Sequence, residues 1–326
     1  MVDVLKVCDC WPDKGMLTNI QEVSYSVGGC VCNTAIDLKK LDEENTDVAV
    51  YGRIGKDEYG DFAMDVMKKH GLDVSNVKRT QGDTSYTDVM TDKRSGERTF
   101  FQRRGVNASF SESDVDLDAL NCEIFHLGYL LLLDALDEAD EEFGTKAARL
   151  LHMVQMRGIK TSIDLVSEQS ERFQRVIIPA LQYCDYVVIN EVEAGRLSGL
   201  NPCDENGNIS VENLKEICKK RVGYGVKECV TIHCPQLGCT MEADGTFTVV
   251  PSLVLPKGYI VGAVGAGDAF CAGMLYSFLY GMDRELGLRL ASCMAACCLS
   301  AVDSISGGRS LSETMKLEKI YKRGKL

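Results

Sequence analysis

Val261-Gly262-Ala263-Val264-Gly265-Ala266-Gly267-Asp268-Ala269-Phe270 places three glycines and an aspartate ahead of an apolar run. Within that run, which reaches Tyr280, Phe270, Met274 and Phe278 recur four residues apart, as one face of a helix does. Gly281 follows as the C-terminal cap. A glycine-rich turn thus opens a helix with a carboxylate in its first turn. Free amides and the positive end of the helix dipole make such an entry an anion site. Glycine lets the backbone approach a phosphate closely. Asp268 would repel a resting phosphate, but it suits a base that deprotonates a hydroxyl attacking phosphorus. Read alone, the stretch also fits an ordinary helix entry with a favourable acid. A Walker A loop is excluded, because Asp268 and Ala269 stand where Lys and Ser/Thr are required. A dinucleotide fingerprint from Gly265 would need a third glycine where Phe270 stands.

A second glycine entry lies near the start. Gly28-Gly29 precedes an apolar-periodic segment through Ala35, Leu38 and Leu41, with Asn33 in its first turns. Asp47–Arg53 reads as a strand and Asp57–His70 as a helix ended by Gly71. Ser85–Met90 and Arg98–Gln102 read as a hairpin outside the main sheet. Strands follow at Ile124–Gly128, Lys160–Asp164, Tyr186–Asn190 and Glu228–His233. Helices are expected between them at Ala135–Arg157, Gln169–Gln182 and Val211–Val222. This alternation predicts an α/β fold in which a doubly wound, mostly parallel sheet is flanked by helices. His126, Asp164, Asn190 and His233 stand at the expected carboxyl ends of strands, where ligands of open α/β sheets bind. Lys316–Lys325 reads as a solvated charged helix or tail.

The chain has 326 residues and is 45% hydrophobic, enough for one large domain. A net charge of −12 argues against nucleic acid or an anionic membrane as a main partner. No apolar run approaches the ~20 residues of a membrane helix. Met1-Val2-Asp3 does not begin a signal peptide, so a cytoplasmic location is expected. Fifteen cysteines fit a reducing compartment, with cysteine used as a small hydrophobe. Cys8-x-Cys10, Cys30-x-Cys32 and the Cys229, Cys234, Cys239 series are not zinc spacings, and no structural metal is expected from them.

Within the glycine-rich entry, the amides of Gly265, Ala266 and Gly267 are candidates to hold phosphate oxygens, with Asp268 as base. Asn190 and Glu193 are three apart and offer oxygens suited to Mg²⁺, through water. The same pair also fits an N-cap with an acid at N3. Gly28, Gly29 and Asn33 would let a polyol lie against the backbone. Arg103 and Arg104 would meet an anionic group or remain solvated.

Together these motifs resemble the ribokinase-like, or PfkB, carbohydrate kinase family. Gly265–Phe270 is similar to its C-terminal signature, Gly28-Gly29 with Asn33 to its N-terminal one, and Asn190–Glu193 to its N-x-x-E motif. Gly105-Val106-Asn107-Ala108 resembles the segment after its lid hairpin. The resemblance implies an ATP- and Mg²⁺-dependent kinase acting on a sugar hydroxyl, with Asp268 as base. It implies a single kinase domain over 1–326, with a β-sheet lid from about 4–27 and 85–104, through which a homodimer would form. Asp3, Gly28, Gly29, Asn33 and Arg104 would contact the sugar. Thr231, His233 and Gly238 match the nucleotide loop, although His233 replaces its first glycine. Gly262-Ala263 replaces the usual Asp-Thr, which leaves a monovalent-cation requirement open. The family's first strand would extend further ahead of Asp3 than the two residues standing there. A pentose or hexose leads as substrate, with a sugar acid or a nucleoside behind it. The other classes are a non-catalytic sugar or nucleotide sensor, which an intact Asp268 disfavours, and a dehydrogenase, which lacks its fingerprint.

Overall fold

Alternate residues of one central strand face two different cores, and this decides the layering. The computed structural model describes residues 1–167 and 170–326. The chain opens with β1 (Val2–Cys8) and β2 (Ile20–Val27), then α1 (Cys30–Leu41), β3 (Ala49–Ile54), α2 (Glu58–Lys69) and β4 (Asp73–Arg79). A hairpin of β5 (Tyr86–Asp92) and β6 (Arg98–Arg103) follows. Next come β7 (Ile124–Leu130), α3 (Asp134–Asp137), the two-residue strands β8 (Ala139–Asp140) and β9 (Gly144–Thr145), and α4 (Lys146–Gln155). β10 (Lys160–Leu165), α5 (Phe173–Leu181), β11 (Tyr186–Asn190), α6 (Glu191–Ser198), α7 (Val211–Val222) and β12 (Cys229–His233) continue the alternation. The chain closes with β13 (Leu237–Glu242), β14 (Phe247–Pro251), α8 (Ala266–Leu279), α9 (Arg284–Leu299), α10 (Leu311–Met315) and α11 (Leu317–Ile320).

The main sheet has six strands in the order β14-β13-β12-β11-β10-β7. β7, β10, β11 and β12 are parallel, and β13 and β14 add an antiparallel edge. In β11, Val187 and Ile189 point into a core built with Leu150 and Leu151 of α4 and Leu214 and Ile217 of α7. Tyr186 and Val188 point the other way, onto Phe270, Met274 and Phe278 of α8. The period of two along a strand thus supplies both layers of the sandwich. Phe278 stacks on Tyr186 with ring centroids 4.1 Å apart. A smaller four-stranded sheet, ordered β2-β1-β5-β6, joins residues far apart in sequence. β3 and β4 form a separate parallel pair.

Four expectations change. The helix expected over Ala135–Arg157 is interrupted, because Asp140 Oδ1 accepts from the amides of Glu142 and Phe143 and the chain turns before β9. The helix expected from Gln169 begins at Phe173, and Gln169 itself lies outside the described residues. The helix behind Asp268 is buried all round rather than on one face. Its second face, through Ala269, Ala272 and Tyr276, packs with Leu290 and Met294 of α9. Gly273 permits this approach, since a Cβ there would lie 2.6 Å from the Cα of Ala291. The C-terminal segment is docked rather than solvated. Leu317 is buried, and Arg323 pairs with Glu318 and donates to Pro251 O and Ser292 Oγ.

Candidate active site

Two glycine-led helix entries converge on one carboxylate. Gly29 (φ 81°) precedes α1 and Gly265 (φ 81°) precedes α8, both in left-handed backbone that glycine adopts without strain. Neither offers a capping side chain. The first amides of α8 are therefore left open for an anion. A Cβ at Gly265 would overlap Ser304, so the turn needs glycine on steric grounds as well.

Asp268 sits in the first turn of α8, 6% exposed. Asn33 of α1 donates Nδ2–H to Asp268 Oδ2 at 2.8 Å. Tyr129 of β7 donates its hydroxyl to Oδ1 at 2.9 Å. Ser304 donates to Asn33 Oδ1 at 2.8 Å and fixes the amide's orientation. Burial raises Asp268 to about 7, and the nearby charge of Asp164 adds to the rise, while Asn33 and Tyr129 partly offset it. A carboxyl poised near neutrality, at an open helix entry, suits general-base chemistry.

A cavity beside this carboxylate is lined by Gly28, Gly29, Arg104, Asn107, Gly128 and Tyr129, among others. Of the expected sugar contacts, Gly28, Gly29 and Arg104 reach it. Arg104 is ion-paired with Asp134. Asp3 packs against Gly28, where any Cβ would overlap its carboxyl, and burial raises it to about 6. Asn33 stands one step back, with both amide atoms engaged by Asp268 and Ser304. Its place is behind the base rather than along the cavity wall.

The Thr231–Gly238 segment, the expected nucleotide loop, is a tight hairpin of β12 and β13, with His233 opposite Gly238. The turn that joins the two strands closes through Cys234 N–H donating to Leu237 O. Thr231 Oγ1 is buried against Thr240 Oγ1 at 2.9 Å, so its hydroxyl faces the sheet interior. His233 lies beside Phe270, and burial lowers it to about 4, which makes it a neutral imidazole. A Cβ at Gly267 would sit 3.3 Å from that ring, so the hairpin abuts the α8 entry.

Asn190 and Glu193 form a capping box at α6. Glu193 N–H donates to Asn190 Oδ1 at 2.8 Å, and Asn190 N–H donates to Glu193 Oε2 at 3.1 Å. Ser167 Oγ–H donates to Glu193 Oε1 at 2.9 Å. Among the described residues no lysine or arginine pairs with this carboxylate. Each oxygen keeps a lone pair for a metal-bound water, so the pair fits Mg²⁺ at second hand. Tyr129 and Ser304 carry no sequence signal of their own, and Asn107 is marked only as part of the Gly105–Ala108 segment. Only the convergence of β7, the 304 loop and the 105–109 turn brings them to the site.

A pfkB family carbohydrate kinase model matches residues 3–309. Ribokinase of Schizosaccharomyces pombe is 24% identical over 315 residues, covering 94% of this chain and 91% of that one. 5-Dehydro-2-deoxygluconokinase of Clostridium perfringens is 21% identical, covering 93% and 88%. The solved structure of Arabidopsis thaliana ribokinase with ribose and ATP superposes with a TM-score of 0.80 at 20% identity, covering 97% of this chain and 95% of that one.

Proposed function

The chain belongs to the pfkB family of carbohydrate kinases, and we propose that it transfers the γ-phosphate of ATP to a hydroxyl of a neutral sugar with Asp268 as general base. The observation that carries this reading is Asp268 itself: buried, held by two donors, raised to about 7, and set in an uncapped glycine-led helix entry. A hydroxyl reaching Asp268 from the cavity takes the place of the Tyr129 hydroxyl and gives its proton to the carboxylate. The open amides at Ala266 and Gly267 would meet charge on a transferring phosphoryl group. Magnesium, when bound, neutralises phosphate charge, and Asn190 and Glu193 would hold it through water.

A neutral pentose or hexose is favoured because Arg104 is paired with Asp134. A sugar acid is the second reading, favoured by the position of Arg104 on the cavity wall. The small sheet, contributed by about 4–27 and 85–104, would act as the lid. Its strands expose Ile20, Val23, Tyr25, Phe100 and Phe101, which supports a homodimer through this sheet. Among the described residues no helix is long and apolar enough to cross a membrane.

The test is an ATP-consumption screen against neutral sugars, sugar acids and nucleosides, with and without K⁺. Turnover with a pentose or hexose is expected. Turnover confined to sugar acids would select the second reading, and no turnover with any acceptor would overturn both.

A further inference from the structure

Four side chains that the proposed reaction does not use meet between α1, β7, β10 and α8. Cys30 Sγ lies 3.3 Å from His126 Nε2, and His126 Nε2 lies 3.7 Å from Asp164 Oδ2. Cys271 Sγ approaches the same nitrogen at 4.0 Å. The donor atoms of Cys30, His126 and Asp164 all lie within 4.8 Å of one another. Cys30 and Cys271 are 2% exposed and Asp164 is 6% exposed. Among the described residues no lysine or arginine pairs with Asp164. A buried carboxylate beside sulfur and imidazole, with no fixed cation, is an unusual group to leave uncompensated.

We propose that Cys30, His126, Asp164 and Cys271 bind one zinc ion as a closed structural site. In a tetrahedral site with zinc–sulfur about 2.3 Å and zinc–nitrogen or –oxygen about 2.0–2.2 Å, neighbouring donor atoms stand about 3.3–3.8 Å apart. The separations of 3.3 and 3.7 Å reach this with shifts of a few tenths of an ångström, and Cys271, 4.0 Å from His126 Nε2, would turn in to complete the set. Atoms that would orient the ligands are also in place. His126 Nδ1 lies 3.1 Å from Ser162 Oγ, and a proton held on Nδ1 toward that oxygen would leave Nε2 as the ligand. Tyr129 N–H donates to Asp164 Oδ1 at 2.7 Å and leaves Oδ2 for the metal. Gly128 keeps the space open, since a Cβ there would overlap Cys30 Sγ. On binding, each thiol releases its proton to solvent and forms a zinc–sulfur bond, His126 enters neutral, and no redox change occurs. Two thiolates select zinc over magnesium or calcium. The cysteine spacing could not announce the site, because Cys30 and Cys271 lie 96 and 145 residues from His126.

The test uses the full chain, purified without a metal-affinity tag and treated with chelator. Zn²⁺ alone is titrated in competition with a chromophoric chelator, and Co²⁺ is titrated in parallel. The expected result is one equivalent per chain, with Co²⁺ giving tetrahedral d–d bands and a sulfur charge-transfer band. Cys30→Ser/Cys271→Ser should abolish that band, and His126→Gln should weaken uptake while retaining it. Ser162→Ala should weaken zinc binding about 10- to 100-fold. Cys293→Ser, at a buried cysteine of another core, should bind as the parent does. Circular dichroism identifies any variant that fails to fold, and the His126 and Ser162 variants then decide the matter. Failure of the folded parent to take up Zn²⁺, or unchanged uptake in the His126 variant, overturns the proposal and leaves the kinase reading untouched.

Discussion

The entries to α6 and α8 look alike in sequence, each with an acid in the first helical turn, and they are built to opposite ends. At α6, Asn190 and Glu193 satisfy each other's backbone amides, and Ser167 closes the group. At α8 no side chain caps the helix, and the acid is drawn aside by Asn33 and Tyr129. Burial raises both acids to about 7. The raised value is therefore no mark of function by itself. What separates them is whether the helix amides remain free for something from outside.

The sharpest way to break this comparison is to neutralise each acid. Asp268→Asn should lower kcat by about 10²–10⁴-fold, the range for a lost general base. Glu193→Gln keeps the shape of the cap and should mainly raise the Mg²⁺ concentration needed for half-maximal rate. Equal losses of kcat in the two would erase the distinction.

The pH profile is the next measure. As a base Asp268 works ionised, so kcat should fall about tenfold per unit as pH drops below about 7. A flat profile from pH 5 to 8, a range of roughly three units around that value, would remove Asp268 from the rate-limiting proton transfer. Stability runs the opposite way. A carboxyl raised in the folded state stabilises it fully below the ordinary value near 3.8, and this contribution is lost as pH rises through about 7. Asp268→Asn should therefore melt higher than the parent at pH above about 7 while turning over less.

Smaller effects concern the backbone. Gly265→Ala forces a left-handed residue against Ser304 and should cost roughly 1–3 kcal/mol in stability from the backbone alone, with weaker ATP binding. Asn190→Ala removes a cap, worth about 0.5–2 kcal/mol, and should, like Glu193→Gln, raise the Mg²⁺ concentration needed for half-maximal rate. Tyr129→Phe removes a donor that favours the charged carboxylate, so the acid limb of the pH profile should move upward.

The sequence carried the parts of this site that depend on local conformation. Glycine runs, the acid after them and the βα alternation are short-range signals, and they named Gly265, Asp268, Gly28 and Gly29. It did not carry what depends on packing from elsewhere. Nothing around Tyr129 distinguishes it from the apolar strand it ends, and its left-handed backbone (φ 56°) is imposed by the turn after β7. Asn33 was legible as a site residue but not in its role, because Ser304 and Asp268 reach it from 271 and 235 positions away. Thr231 illustrates the reverse case, where a motif position is occupied but antiparallel pairing turns its hydroxyl inward.

With Asp268 as the proposed base, the tyrosine hydroxyl it accepts would make substrate entry an exchange rather than an addition. One hydroxyl leaves the carboxylate as another arrives, so the number of hydrogen bonds is conserved and little net enthalpy comes from that contact. Acceptor affinity must then come from the rest of the cavity wall and is reduced by the fraction of molecules in which the tyrosine is still seated. The same hydroxyl, on the cavity wall, would stand between cavity water and the base. A kinase guarded in this way should spend little ATP on hydrolysis when no acceptor is present, and the ratio of idle to coupled turnover becomes a direct reading of how firmly that one phenol holds its seat.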